Sequence, residues 1–336
     1  MAIVMMEGFD HSSKEAKGWS LDGDTLATGR VNGKCLRFTG TSADAKYCRG
    51  FLPTALTEFT LGFAFKSDRG VGSGYGSVIQ LKTVSAGKYD TPAGYIYITN
   101  AGAVGVGASG GGGGAGAPVV TTSSWVYIEV HVKVAGSSGT VSIRVNGGPY
   151  LATVPCNFGS SALQMIELWN DTHDSGAYAY YDDIYATDIT GTLNGFLGDC
   201  HVETILPDGV GASSMFIPLS GANWTNVDEK PPDDDTSYVS STTVNDIDTY
   251  SMANLTLAGG VVLGVKTNLY AKKDDAGFRQ LAAVYRQGGS NFVGTALTLS
   301  ASYAMQSEIR ELNPATGVPW TLAEINANEF GAKLIA

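Results

Sequence analysis

The stretch WVYIEVHVKV at 125–134 decides the fold. Val126, Ile128, Val130, Val132 and Val134 recur at every second position, and Glu129, His131 and Lys133 fall between them. A period of two sends the two sets to opposite faces of an extended chain, so this segment predicts an antiparallel strand with one buried and one wet side. Beyond the short glycine-containing loop AGSSG, TVSIRVNG (140–147) repeats the alternation and predicts a hairpin partner. Working outward, FTLGFAFK (59–66), SVIQLK (77–82), GYIYIT (94–99), LQMIELWN (163–170) and AYAYYDDIYATD (177–188) read the same way. Past ITGTLNGFLGD, a glycine and threonine segment that marks a boundary, a second set follows: DCHVETILP (199–207), TSYVSST (236–242), VVLGVKTNLYAKK (261–273) and FRQLAAVYRQG (278–288). KKDDAG supplies the turn between the last two. Only PWTLAEINANEFG (319–331) reads as helix, with Thr321 and Glu324 at capping-box spacing. The expectation is an all-β chain of two β-sandwich domains, 1–190 and 191–336, with one short C-terminal helix.

Composition narrows the function. A formal net charge of -11, with Lys and Arg scattered singly, argues against nucleic acid as a partner. No run nears the roughly 18 apolar residues of a membrane span, and MAIVMMEGFD lacks the basic flank of a signal peptide. The glycine-rich run GAVGVGASGGGGGAGAP (102–118) has few side chains to bury, which predicts an exposed mobile loop or a segment ordered only against a neighbouring subunit. It formally contains G-x-G-x-x-G (Gly105, Gly107, Gly110) and G-x-S-x-G around Ser109, but no helix follows to receive a phosphate or form a nucleophile elbow. The four cysteines show no C-x-x-C spacing. Cys35 and Cys48 either face each other across a hairpin or are two free buried thiols.

Catalytic motifs are hard to find. Glu167 and Asp171, followed by His173 and Asp174, are the best glycosidase candidates, yet Trp169 occupies the position where a second acid would share the strand face. No catalytic residue is assigned, and the expectation is a non-enzyme. Acidic groups at Asp22 and Asp24, at Asp182 and Asp183, and at Asp233, Asp234 and Asp235 leave calcium open, although none follows the EF-hand pattern. No other cofactor and no metal ligand set is expected. Trp169, Asp171, Tyr178 and Tyr181 are the candidate ligand-binding residues, because aromatic side chains with a polar neighbour make good groove walls for a glycan.

Three local features resemble a concanavalin A-like or laminin-G-like sandwich: the opening MEGFD (6–10) with a Gly18-Trp19 turn, the W-x-x-x-E-V strand at Trp125 paired with one ending at Gly147, and YDDIY (181–185) returning to the N-terminal strand. The chain also resembles tailed-bacteriophage virion proteins, of the kind labelled tail-fibre or minor structural proteins. EGFDH (7–11), the junction 182–209, NWTNVDEKPPDDDTSYVSS (223–241) and NPATGVPWTLAEINANEFGAKL (313–334) carry that likeness. The second half is similar to a jelly-roll domain through W-T-x-x-x-I-N and the following F-G. These resemblances imply a non-enzymatic structural component of a phage particle, either tail-fibre-associated or head-decorating, assembled in the bacterial host cytoplasm. Its partners would be other virion proteins and copies of itself, with a host-surface glycan as the alternative ligand of an adhesin.

Overall fold

The computed structural model describes residues 2–10, 19–22, 24–39, 46–68, 77–85, 88–170 and 178–336. They fall into two compact units, one ending at Val202 and one running Glu203–Ala336. The first unit holds β1 (Ile3–Glu7), β2 (Ser20–Asp22), β3 (Asp24–Thr28), β4 (Lys34–Thr39), β5 (Lys46–Leu56), β6 (Glu58–Ser67), β7 (Ser77–Ser85), β8 (Lys88–Ile98), β9 (Ala103–Ala108), β10 (Gly113–Pro118), β11 (Val126–Lys133), β12 (Thr140–Val145), β13 (Gly148–Pro155), β14 (Leu163–Asn170) and β15 (Tyr178–Thr187). Two antiparallel sheets result: an eight-stranded one, in the order β13-β12-β11-β6-β15-β4-β3 with β1 on β15, and a seven-stranded one, β10-β9-β8-β7-β14-β5-β2. Their facing sides meet in one core that includes Phe38, Leu61, Phe63, Ile79, Ile96, Val106, Ile128, Val130 and Leu168. This is a two-sheet antiparallel β-sandwich.

In β11 the valine and isoleucine stripe points into that core as the alternation requires. Its other side departs from expectation. His131 and Lys133 reach solvent, but Tyr127 and Glu129 are as buried as the stripe opposite. The cover is the segment 195–200. Leu197 and Cys200 pack on Tyr127, Tyr185 and Ala64, and the Gly198 N–H donates to Glu129 Oε1 at 2.8 Å. The segment therefore belongs to the first unit, and the division falls at Val202/Glu203 rather than at 190/191.

The glycine-rich run is also ordered differently from the expected mobile loop. Residues 103–108 and 113–118 are the paired strands β9 and β10. Val104 and Val106 fill the core; Gly111, Gly112 and Gly113 turn the chain at φ of +98°, +85° and +125°, a region open to glycine at little cost. Cys35 and Cys48 are both buried, and no disulfide joins them. KCLRF and YCRGF do not form a hairpin, because β4 joins the eight-stranded sheet and β5 the seven-stranded one.

The second unit holds β16 (Pro207–Ser214), β17 (Ile217–Pro218), β18 (Val239–Ser240), β19 (Ile247–Met252), β20 (Val265–Ala271), β21 (Gln280–Gln287), β22 (Ser290–Val293), β23 (Leu297–Thr298), β24 (Ala304–Arg310), α1 (Leu322–Ala327) and β25 (Glu329–Leu334). It is a smaller β-sandwich. A six-stranded sheet, β16-β19-β25-β21-β22 with β23 on β21, faces the ribbon β20-β24, whose Val265, Leu269 and Ala271 pack on its buried side chains. The α1 helix carries the expected capping box between Thr321 and Glu324. Two expected strands are shorter or absent. TSYVSST contributes only Val239–Ser240, and 199–206 is not a strand, since His201 and Val202 are drawn onto Asp183. Among the described residues no helix is long and apolar enough to cross a membrane.

Candidate functional site

The outer side of the seven-stranded sheet collects the polar and aromatic residues that alternate with its core positions. In β7, Ile79 and Leu81 face the core and leave Gln80 and Lys82 outside; in β8, Ile96 and Ile98 do the same for Tyr95 and Tyr97. In β5, Cys48 and Leu52 point inward while Tyr47, Arg49 and Phe51 point out; in β14, Leu168 leaves Glu167 and Trp169. The register then aligns them. Arg49 opposes Glu167, Glu167 opposes Gln80, Gln80 opposes Tyr95, and Tyr95 opposes Gly107, giving one row across five strands. Flanking it, Phe51 pairs with Met165 and Met165 with Lys82, while Tyr47 pairs with Trp169.

Glu167 is the keystone of this surface. Although it sits on the outer side, it is 0% exposed. Its Oε1 accepts from Lys82 Nζ and from Trp169 Nε1, both at 2.5 Å, and its Oε2 accepts from Arg49 Nε. Burying a carboxylate is costly unless it is paired and hydrogen-bonded, and here three donors meet that need. In return Glu167 fixes the positions of the side chains around it. The Arg49 guanidinium lies 4.1 Å over the Tyr47 ring, Tyr47 leans on Trp169 at 5.9 Å, and Lys82 Nζ is 5.8 Å from the Trp169 ring centre. Tyr95 and Tyr97 stand 5.9 Å apart, their rings lying on Gly107 and Gly105, where a Cβ would come within 2.8 Å and 2.4 Å of ring atoms. Tyr95 and Phe51 are each 36% exposed, so the aromatic surface is open.

The four candidate residues from sequence do not form one site. Trp169 belongs to the face just described. Tyr178 lies on the outer side of the opposite sheet, half-buried under Arg37, whose guanidinium carbon is 4.8 Å from its ring centre. Tyr181 is wholly buried between the sheets, its hydroxyl donating to the carbonyls of Val78 and Trp169, and can touch no ligand. Asp171, with His173 and Asp174 of the glycosidase candidate, lies outside the described residues. Sequence reading missed Tyr47, Arg49, Gln80, Lys82, Tyr95 and Tyr97. The signal was present in the wet positions of KYCRGF, SVIQLK and GYIYIT, but nothing in the sequence says that these strands are neighbours.

The acidic candidates for calcium are engaged otherwise. Asp183 accepts from Arg30 Nε at 2.7 Å, His201 Nδ1 at 2.9 Å and the Val202 N–H at 2.8 Å. Asp182 accepts from the backbone N–H groups of Arg30 and Asp183. Burial, together with the neighbouring Asp183 charge, pushes the Asp182 carboxyl up to about 8. Burial opposes the charged form of His201, yet the hydrogen bond and charge of Asp183 prevail and raise its pKa. Asp233 serves Ser237, Asp234 accepts from Tyr270, and Asp235 pairs with Lys272. The side chains of Asp22 and Asp24 are not described. Among the described residues no group of three or more His, Cys, Asp or Glu is arranged to hold a metal ion.

No known family matches this chain, and no curated protein does. Solved structures similar to it include domain 4 of AbnA, a GH43 extracellular arabinanase from Geobacillus stearothermophilus, in complex with arabinotriose, at 14% identity over 56% of this chain and 93% of that one, TM-score 0.39. Another is the endo-1,3-beta-glucanase from Streptomyces sioyaensis, at 11% identity over 55% and 95%, TM-score 0.39. A third is the carbohydrate-binding module CBM66 from Bacillus subtilis, at 12% identity over 51% and 96%, TM-score 0.33.

Proposed function

We propose that the first unit binds a glycan on the outer side of its seven-stranded sheet. The observation that carries this is the aligned surface of Tyr47, Trp169, Tyr95 and Phe51 around the Arg49–Glu167–Lys82 network. Aromatic faces take the C–H faces of sugar rings, and planar or charged groups at their edges take hydroxyls. Pre-positioned donors lower the ordering cost of binding, and Glu167 supplies that order without itself needing the ligand. The test is titration of the full chain with polysaccharide from bacterial surfaces. Trp169→Ala and Tyr95→Ala are each expected to weaken binding about tenfold, the equivalent of ~1.4 kcal/mol. Unchanged affinity in both variants would remove the face from the account, and shortened polysaccharide after incubation would make the protein an enzyme instead of a binder.

We propose separately that the second unit joins the chain to other proteins, copies of itself included, on a phage particle. Here the alternation is inverted. Met215, Ile217 and Leu219 are 55%, 68% and 49% exposed while Phe216 between them is buried, so an apolar stripe faces outward. Such a stripe on a folded surface marks a contact site. Light scattering of the intact chain should show an oligomer that Ile217→Lys dissociates, and the protein should be found by mass spectrometry in purified particles. A monomer absent from particles would end this proposal and leave the glycan face standing.

A further inference from the structure

The bound glycan should carry negative charge. Among the described residues with side chains on the outer side of the seven-stranded sheet, the charged ones are Arg49, Lys82 and Glu167, two cations to one carboxylate. The single anion is the fully buried member, held beneath them by three donors.

Lys82 makes the point sharper. An ammonium has three N–H donors. The side chain is only 9% exposed, and among the described residues its one hydrogen bond is to Glu167 Oε1. An ammonium so nearly removed from water, with donors left over, gains most from an incoming anion, because charge-assisted hydrogen bonds are the strong ones and water competes little there. Gln80, across from Glu167 in the same row, makes no side-chain hydrogen bond among the described residues and adds a neutral amide to the same place.

Resting on the glycan reading above, we infer that this face selects acidic saccharides, a sugar carboxylate or sulfate docking on Lys82 and Arg49 while neighbouring rings stack on Trp169 and Tyr95. A uronate and a sulfated sugar offer the same chemistry, and the test separates them.

The intact chain is titrated with a polyuronate, with the same polyuronate after reduction of its carboxyl groups to alcohols, and with a sulfated neutral polysaccharide. The expected result is about tenfold tighter binding of the polyuronate, the sulfated polymer, or both, than of the carboxyl-reduced chain, with the advantage shrinking as salt is raised. The polymer that is preferred identifies the anion. Lys82→Gln should bring the preferred polymer down to the affinity of the reduced one, and Lys82→Arg should keep the preference. Equal binding of acidic and reduced polymers by the wild-type chain overturns the inference and leaves glycan binding in place, as does a folded Lys82→Gln variant that keeps its preference. Should Lys82→Gln fail to fold, the wild-type salt dependence and Lys82→Arg still decide. Binding of none of the polymers, with Trp169→Ala also without effect on any polysaccharide, overturns the glycan reading itself.

Discussion

The two sheets of the first unit each carry a glutamate on the side away from the core, and both glutamates are fully buried, by opposite means. On the eight-stranded sheet, Glu129 is covered by 195–200; its Oε1 accepts from Tyr185 Oη at 2.5 Å and from the Gly198 N–H. Among the described residues its Oε2 has no hydrogen-bond partner, and Arg144 Nε is 4.0 Å away. On the seven-stranded sheet Glu167 is held by side chains of neighbouring strands, with both oxygens taken by two cations and an indole. A carboxylate sealed under backbone is a fastening for the segment above it. One that gathers cations and aromatics on an open face organises a surface that a ligand can reach.

Removing the charge is the most forceful way to break that comparison. Glu167→Gln leaves Lys82 without its counter-charge in a nearly dry site, and losing one partner of a buried pair costs about 3 kcal/mol or more. Glu129→Gln should cost about 1 kcal/mol or less. Its amide oxygen can still accept from Tyr185 and Gly198, and its amide nitrogen replaces an oxygen that had no partner. Denaturant unfolding of both variants measures the gap. Equal losses would mean that the two glutamates play the same structural part.

How far this contrast is legible in sequence depends on the range of the interactions. The stripe Val126 to Val134 is legible because alternation is local, and so is the capping box, whose members Thr321 and Glu324 are three positions apart. The surface around Glu167 is not. Arg49 and Lys82 reach Glu167 from 118 and 85 positions away, so only strand order brings them together. Tyr181 misleads for the same reason. As part of an aromatic cluster it reads as a platform, yet on β15 it alternates with Tyr178 and Tyr180 and falls on the core side. The burial of Glu129 depends on a segment with no periodicity of its own, which composition alone marks as a linker.

The open face can be sharpened through its glycines. Gly107→Ala places a methyl group 2.8 Å from the Tyr95 ring, so the ring must swing off the sheet. Overpacking of this kind costs about 1–2 kcal/mol and should also remove the Tyr95 contribution to glycan affinity. Gly111→Ala is the control. Its φ of +98° makes it strained, but a Cβ there meets nothing within 4 Å, so melting should shift while binding stays. If both variants bind like wild type, the ring of Tyr95 is not part of the site.

The covered side should carry a pH dependence in the direction opposite to that of ordinary acid denaturation. Asp182, with its carboxyl raised from 3.8 to about 8, holds in the folded chain a proton that the unfolded chain has released. Across that window stability falls as pH rises, by at most about 1.4 kcal/mol per pH unit for one proton. His201 acts in the same sense. Its pKa is raised above 6.5, so its contribution is complete below that value and is lost as pH climbs through the folded one. Melting of the first unit should therefore occur at lower temperature at about pH 9 than at about pH 6, and Asp182→Asn should flatten the slope, since an amide does not titrate. A melting temperature that rises over the same range would show that Asp182 is already ionised at about pH 6, and a slope that Asp182→Asn leaves intact would assign the dependence to His201 alone.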